Sequence, residues 1–288
     1  MVVDSSLPGA TSLEEREAAR SLPESTQKPA SSLPQVLRTR DLTALMALTV
    51  VFVANINGVQ AGGPTAFIYW ILGFLTFMIP VAYVTRWLAQ RYAGEAARYI
   101  WATRILGSNW AFLVTICSVG PGVLALVSAI DASLIFVQYL APTWLTTPTQ
   151  QGLATIALIV AAAAVNFIPL RWLKHGLVTL AGLYVGVLLL IGGLGVWWLL
   201  SGHTAATALN VPGAWQPNGN NVNLFGVVLL ALLGADVPLF MGGEIRGGRA
   251  GARRALSSIW WGTAIAAAAY LAGTFGVMVI APPAQAGA

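Results

Sequence analysis

Two carboxylates, Asp131 and Asp236, stand inside long apolar runs of this sequence. An acid at membrane depth is costly, and by default it marks a functional site. Asp236 belongs to Gly234-Ala235-Asp236-Val237-Pro238, where glycine weakens a helix and proline removes one of its hydrogen bonds. Asn55-Ile56-Asn57-Gly58 interrupts a second apolar run with polar and permissive residues. Irregular backbone survives at membrane depth only where protein buries it or where it lines a cavity. A half-helix that starts at such a break presents N–H groups suited to an anion. One that ends there presents carbonyls suited to a cation. Two breaks crossing in opposite directions therefore suit a small zwitterion, and an α-amino acid carries both groups. The two breaks, Asn55-Ile56-Asn57-Gly58 and Gly234-Ala235-Asp236-Val237-Pro238, are the expected places for such a ligand. Asp236 is the leading candidate to hold a proton, attract an amine or brace the opened backbone. Asp131, in the outer half of its run, is the second coupling candidate. Side-chain specificity is expected from neighbouring spans, including the stretch Val119 to Val123.

Other chemistries are poorly served. Cys117 is the only cysteine, so neither a disulfide framework nor a cysteine metal cluster is available. His175 and His203 are far apart in sequence and fall on opposite sides of the expected topology. The glycine pairs beginning at Gly62, Gly192, Gly242 and Gly247 follow no strand and are not phosphate loops. Two isolated acids with no convergent His or Cys make a membrane-embedded enzyme a poor fit. No metal and no cofactor is expected.

The elements that must hold these residues are set by hydropathy. The chain is 57% hydrophobic and 9% charged, with a mean hydropathy of +0.74, which excludes an ordinary soluble domain. Apolar runs of roughly twenty residues match a hydrocarbon core about 30 Å thick. Seven spans are expected, near 42–60, 65–88, 108–140, 151–169, 177–200, 222–241 and 255–280. The third is long and should tilt. The fold class is an all-α, multi-spanning helical bundle. Its two interrupted spans are the first and the sixth, the spacing of a five-plus-five inverted repeat whose first copy is complete and whose second has only begun.

All 15 Lys and Arg fall before the first span or in every second gap. They are Arg16, Arg20, Lys28, Arg38 and Arg40; Arg86, Arg91, Arg98 and Arg104; Arg171 and Lys174; and Arg246, Arg249, Arg253 and Arg254. The positive-inside rule then puts the amino terminus in the cytoplasm and the end of the chain outside. The same asymmetry accounts for the net charge of +5, so nucleic acid is not an expected partner and the lipid bilayer is. Trp87, Trp110, Trp144, Trp172, Trp197 and Trp261 fall near the expected interfaces. Residues 1–40 read as a polar, disordered cytoplasmic tail with a capping box at Ser12 to Glu15, and 41–288 as the membrane domain. No cleavable signal peptide is visible. Gly182 and Gly186 have GxxxG spacing, as do Gly58 and Gly62, and close helix packing is expected of the first pair. Glu244, Arg246 and Arg253 are the candidates for a cytoplasmic gate in a charged loop, although the positive-inside rule alone explains its arginines.

Three blocks carry a family resemblance. One is Phe77-Met78-Ile79-Pro80-Val81, followed by Gly94-Glu95-Ala96-Ala97-Arg98-Tyr99-Ile100-Trp101 and Leu106-Gly107. Another runs from Asn166-Phe167 through Arg171 and Lys174. The third is Leu233-Gly234-Ala235-Asp236, then Gly243-Glu244-Ile245-Arg246 and Arg253-Arg254-Ala255-Leu256. Over about Leu42 to Pro283 the chain resembles the amino acid–polyamine–organocation superfamily of permeases, and most of all its glutamate/GABA-antiporter-like branch. The resemblance implies an inverted-repeat secondary transporter that binds an amino acid or amine between opened parts of helices one and six, and it makes a homodimer an expected assembly. Carried over by position, those parts are Asn55 to Val59 and Leu232 to Asp236, with Asp236 where relatives usually have Glu. Asn-Ile-Asn-Gly replaces a Gly-Ser-Gly-like motif, Ala96-Ala97 replace a glycine pair, and residues 177–200 lack the lysine some proton-coupled relatives use. Relatives have ten to twelve helices, so a chain of seven reads as truncated. The competing expectation is a non-transporting protein: a sensor, a partner subunit or an inactive gene fragment.

Overall fold

A computed structural model describes residues 36–91, 97–219, 221–234, 245–246 and 256–281. The chain divides into two compact units, Met1–Pro34 and Gln35–Ala288. The first lies outside the described residues, and with it the capping box expected at Ser12 to Glu15. All of the described residues belong to the second unit.

Its helices in chain order are α1 (Thr39–Val50), α2 (Val53–Gln60), α3 (Thr65–Gly73), α4 (Ile79–Arg91), α5 (Ala97–Leu106), α6 (Ser108–Leu140), α7 (Pro148–Val165), α8 (Leu170–Leu200), α9 (Asn223–Ala231) and α10 (Ser257–Ile280). A π-turn, Phe74–Met78, joins α3 to α4. Six stretches among the described residues are long and apolar enough to cross a membrane: Thr39–Gln60, Thr65–Ala89, Ser108–Leu140, Pro148–Val165, Leu170–Leu200 and Ser257–Ile280. The span expected at 222–241 is represented by α9, and its continuation lies outside the described residues.

Local chemistry accounts for the ends of several helices. The Asp41 carboxylate accepts the Arg38 N–H at 2.9 Å, which starts α1 with an anion in its first turn. It starts at Thr39, so the tail boundary expected after residue 40 cuts into a helix. Thr147 Oγ1 accepts from the Gln150 N–H while Gln150 Oε1 accepts from the Thr147 N–H, each at 3.3 Å. This capping box, with Pro148 at the first helical position, begins α7 ahead of the expected residue 151. The helix α8 begins at Leu170, not at 177, so Arg171, Lys174 and His175 ride on its first turns. Gly107, at φ +91°, makes the turn between α5 and α6 that a side chain would strain. The π-turn ends just before Pro80, whose missing N–H disturbs the hydrogen-bond ladder at that level.

The core is built around α10, which packs on α8, α1, α2 and α3. Its contacts step along in register: Gly262 lies against Met46, Gly273 against Ile56 and Leu188, and Gly276 against Ile191. Helices α1–α2, α8 and α10 therefore run side by side in one direction. A methyl group at Gly192 would lie 2.7 Å from Ala272 Cβ, and one at Gly195 2.8 Å from Gly276 Cα. These close approaches correct the expectation for Gly182 and Gly186, which are exposed and have nothing within 4 Å. The pair with the same spacing in the first span is the one with neighbours: a methyl at Gly62 would lie 2.5 Å from Leu224 Cδ1 on α9, and Gly58 lies beside Val227. All six tryptophans expected at interfaces are exposed, whereas Trp70 is fully buried.

Candidate functional site

The first span opens at two residues, Val51 and Phe52, between α1 and α2. Both are extended, with φ and ψ of −82° and 113° at Val51 and −130° and 118° at Phe52. Asn55 to Val59, the tract expected to be unwound, is helical within α2. That expectation is corrected by simple mechanics. A single Asn or Gly weakens a helix without ending it, whereas Val50-Val51-Phe52-Val53 strings together β-branched and aromatic residues that lose side-chain freedom in one.

Two tyrosine hydroxyls satisfy the opened backbone. Tyr270 of α10 donates to the Val50 carbonyl at 2.7 Å and accepts the Phe52 N–H at 3.1 Å and the Asn55 side-chain amide at 3.2 Å. Tyr184 of α8 accepts the Val53 N–H at 3.0 Å. The Asn55 N–H turns back to the Phe52 carbonyl at 3.1 Å. Tyr270 is itself held hard: its ring stacks on Trp70 with centroids 4.1 Å apart, and Trp70 Nε1 donates to Thr274 Oγ1 at 3.0 Å. Neither tyrosine is among the site residues expected from the sequence. A phenol in the middle of an apolar span, far from either interface, needs a hydrogen-bond partner, and that is the signal the sequence offers.

The sixth span reaches the same place. Its helix α9 ends at Ala231, followed by a turn in which Leu232 N–H bonds to Val228 and Leu229 and Leu233 N–H to Leu230. Gly234 has φ +103°, a backbone region that favours glycine. The Ala231 carbonyl lies 3.4 Å from the Tyr270 hydroxyl, and the Gly234 carbonyl 3.5 Å from Thr49 Oγ1. The breaks of the first and sixth spans are thus in direct contact, with Tyr270 between them. At this junction Ile56, Val59 and Leu232 are buried, Asn55 and Gly234 half-buried, and Asn57, Gly58 and Leu233 exposed. Ala235 and Asp236 lie outside the described residues. Asp131 is not brought to the junction: it is exposed on α6, whose main neighbours are α5 and α7. Among the described residues no cluster of His, Cys, Asp or Glu could hold a metal ion.

Contacts between elements also stand at both ends of the bundle. At the end where α1 and α8 begin, Leu37 pairs in parallel with Ile245, and Arg246 N–H donates to the Leu37 carbonyl at 2.9 Å. Leu37, Leu42 and Ile245 form a buried apolar cluster, and Lys174 Nζ donates to the Val36 carbonyl at 3.2 Å. Of the expected gate residues, Arg246 contributes its backbone here while Glu244 and Arg253 lie outside the described residues. At the opposite end Trp215 stacks on Phe67 at 5.8 Å, and Tyr69 donates to Asn221 Oδ1 at 2.6 Å.

Known proteins share this sequence pattern. The family profile described as amino acid permease matches residues 42–287. A probable agmatine/putrescine antiporter of Lactococcus lactis subsp. lactis is 34% identical over 67 residues, which are 23% of this chain and 14% of that protein. An uncharacterized transporter of Legionella pneumophila subsp. pneumophila is 26% identical over 222 residues, covering 73% of this chain and 42% of that one. The chain thus spans less than half the length of either relative.

Proposed function

Since the chain belongs to the amino acid permease family, we propose that it carries amino acids or related amines across the cytoplasmic membrane of a bacterium by alternating access. The observation that supports this most is the meeting of two helix breaks on Tyr270. Irregular backbone at membrane depth is tolerated only where protein buries it or where it lines a cavity, and paired breaks in two spans are a pointer to a transporter's central site. A helix end there offers oriented carbonyl dipoles in a medium of low dielectric. The basic end, where Leu37 meets Ile245, faces the cytoplasm in this reading because the Lys and Arg residues gather on that side. In this reading cargo is held between spans one and six while the two ends open in turn.

Asp236 is assigned its role from sequence. It follows Gly234 by two residues in the segment after α9, and it is the acid placed to draw a cationic cargo or to carry a coupling proton. The test is uptake of labelled amino acids and of agmatine or putrescine into proteoliposomes, by exchange against a preloaded pool. Accumulation of at least one class is expected. Asp236→Asn should lower the rate by at least about tenfold, the effect of losing one charge-assisted contact. No flux of any such solute, with intact folding, would overturn the transporter reading. Unchanged flux in Asp236→Asn would overturn the role of that residue alone.

A further inference from the structure

Helix α4 has two apolar faces, and only one of them meets protein. Ala82 belongs to the core cluster and Thr85 is buried, whereas Tyr83, Val84 and Trp87 are exposed. With Leu88 and with Ile105 of α5, these three line an open groove of about 350 Å³. That volume falls within the range of about 300–1,000 Å³ typical of small-molecule clefts. Every lining residue is aliphatic or aromatic, so a polar solute gains nothing there. A hydrocarbon chain does, because an empty groove forfeits dispersion contacts along its walls. The groove lies at the end of the span Thr65–Ala89, the depth at which Tyr and Trp rings meet lipid headgroups.

The charge beside the groove is of one sign. Arg86 stands on α4 between Val84 and Trp87, Arg104 immediately precedes Ile105 on α5, and both are exposed. From residue 86 to 104 the sequence holds four arginines against one acid, Glu95, which lies outside the described residues. Among the described residues the acids are Asp41 and Asp131. Asp41 is engaged elsewhere: it accepts the Arg38 N–H at 2.9 Å and lies 3.7 Å from Arg40 Nε. Asp131 is nine residues from the far end of α6. Guanidinium groups at the rim of an apolar groove suit a ligand that joins a phosphate to a hydrocarbon tail. The positive-inside rule puts this end of the bundle in the cytoplasmic leaflet, where anionic lipids gather.

We propose that the groove between α4 and α5 binds an anionic phospholipid, with an acyl chain laid along Tyr83, Val84, Trp87, Leu88 and Ile105 and the phosphate held by Arg86 and Arg104. The site is distinct from the junction at Tyr270 and holds whatever solute the protein carries. It is tested by native mass spectrometry of the purified full chain in non-ionic detergent, titrated with phosphatidylglycerol or with phosphatidylcholine of the same acyl chains. Phosphatidylglycerol should bind saturably and at least about tenfold more tightly than phosphatidylcholine. An arginine near a membrane surface is worth about fivefold in affinity for an anionic lipid. Arg86→Gln and Arg104→Gln should each weaken phosphatidylglycerol by about that factor and leave phosphatidylcholine unchanged. Val84→Trp fills the groove and should weaken both lipids. Arg171→Gln, on the same side of the membrane but on α8, should alter neither, and glycerol phosphate, which has the charge without the chains, should displace neither. Equal affinity for the two lipids on the unmodified protein would overturn the inference. So would a loss in Arg171→Gln as large as in Arg86→Gln, which would mean a general attraction of the basic side. Displacement by glycerol phosphate would reduce the site to an anion site, and full binding in Val84→Trp would remove the groove from it. The four substituted residues are on the surface, where replacements rarely disturb folding, and the comparison of lipids on the unmodified protein stands without them.

Discussion

Removing one oxygen from Tyr270 would strip partners from the Val50 carbonyl, the Phe52 N–H and the Asn55 amide at once. Tyr270→Phe keeps the stack on Trp70, so the change isolates the hydroxyl. It should destabilise the protein by about 2 kcal/mol or more, since each buried group left unpaired costs about 1–3 kcal/mol. Tyr184→Phe abandons one N–H and should cost about 1 kcal/mol. Thermal unfolding in detergent checks the order, and a Tyr184→Phe protein that melts below Tyr270→Phe would contradict it. Residues of this kind are hard to read from sequence. Asn55 and Asp236 stand out against apolar neighbours, whereas a tyrosine passes as one more aromatic. What makes Tyr270 matter is its place between two chain segments more than two hundred and about forty residues away, which spacing does not encode.

Among the elements, α8 shows why a membrane helix hides its working face. Ala181, Leu188, Gly192 and Gly195 form its buried stripe, while Gly182 and Gly186 stand on the exposed side. In a soluble helix, polarity would separate the two faces. Here the outer face is as apolar as the core, because lipid is as apolar as protein interior, so only the positions of small residues remain as a guide. The GxxxG spacing at Gly182 and Gly186 is real and faces the wrong way. Gly192→Val should destabilise by about 1–3 kcal/mol through overpacking against Ala272. Gly182→Ala and Gly186→Ala should be neutral or stabilise by about 0.5–1 kcal/mol through helix propensity. Comparative unfolding midpoints of the three variants test the assignment, and a severe loss from Gly186→Ala would refute it. The first span holds a similar lesson. That it breaks and meets the sixth was legible, but the position of the break was not: Asn55 and Asn57 draw attention to polarity, while the opening lies in the β-branched run just before them.

At the scale of the whole molecule, hydropathy and charge carried most of the architecture. The helical bundle, the exposed tryptophans and the positions of its long helices follow from runs of about twenty apolar residues, whatever their sequence details. Orientation is a prediction of the same kind. With Cys117, exposed on α6, replaced by Ser, a cysteine introduced at Arg40 should react with a membrane-impermeant maleimide only after cells are permeabilised, and one at Gly213 should react in intact cells. The reverse pattern would invert the topology. The apolar contact at the basic end also has a thermal side. Among the described residues, Leu37, Leu42 and Ile245 meet there through buried aliphatic surface and a backbone bridge. Wetting that surface raises the heat capacity, and the drive to keep it dry fades as water cools. Cold should therefore loosen this end of the protein: the labelling rate of Leu37→Cys should fall less on chilling than that of an exposed cysteine at Arg40, so the temperature at which the protein works would help to set how often this contact comes apart.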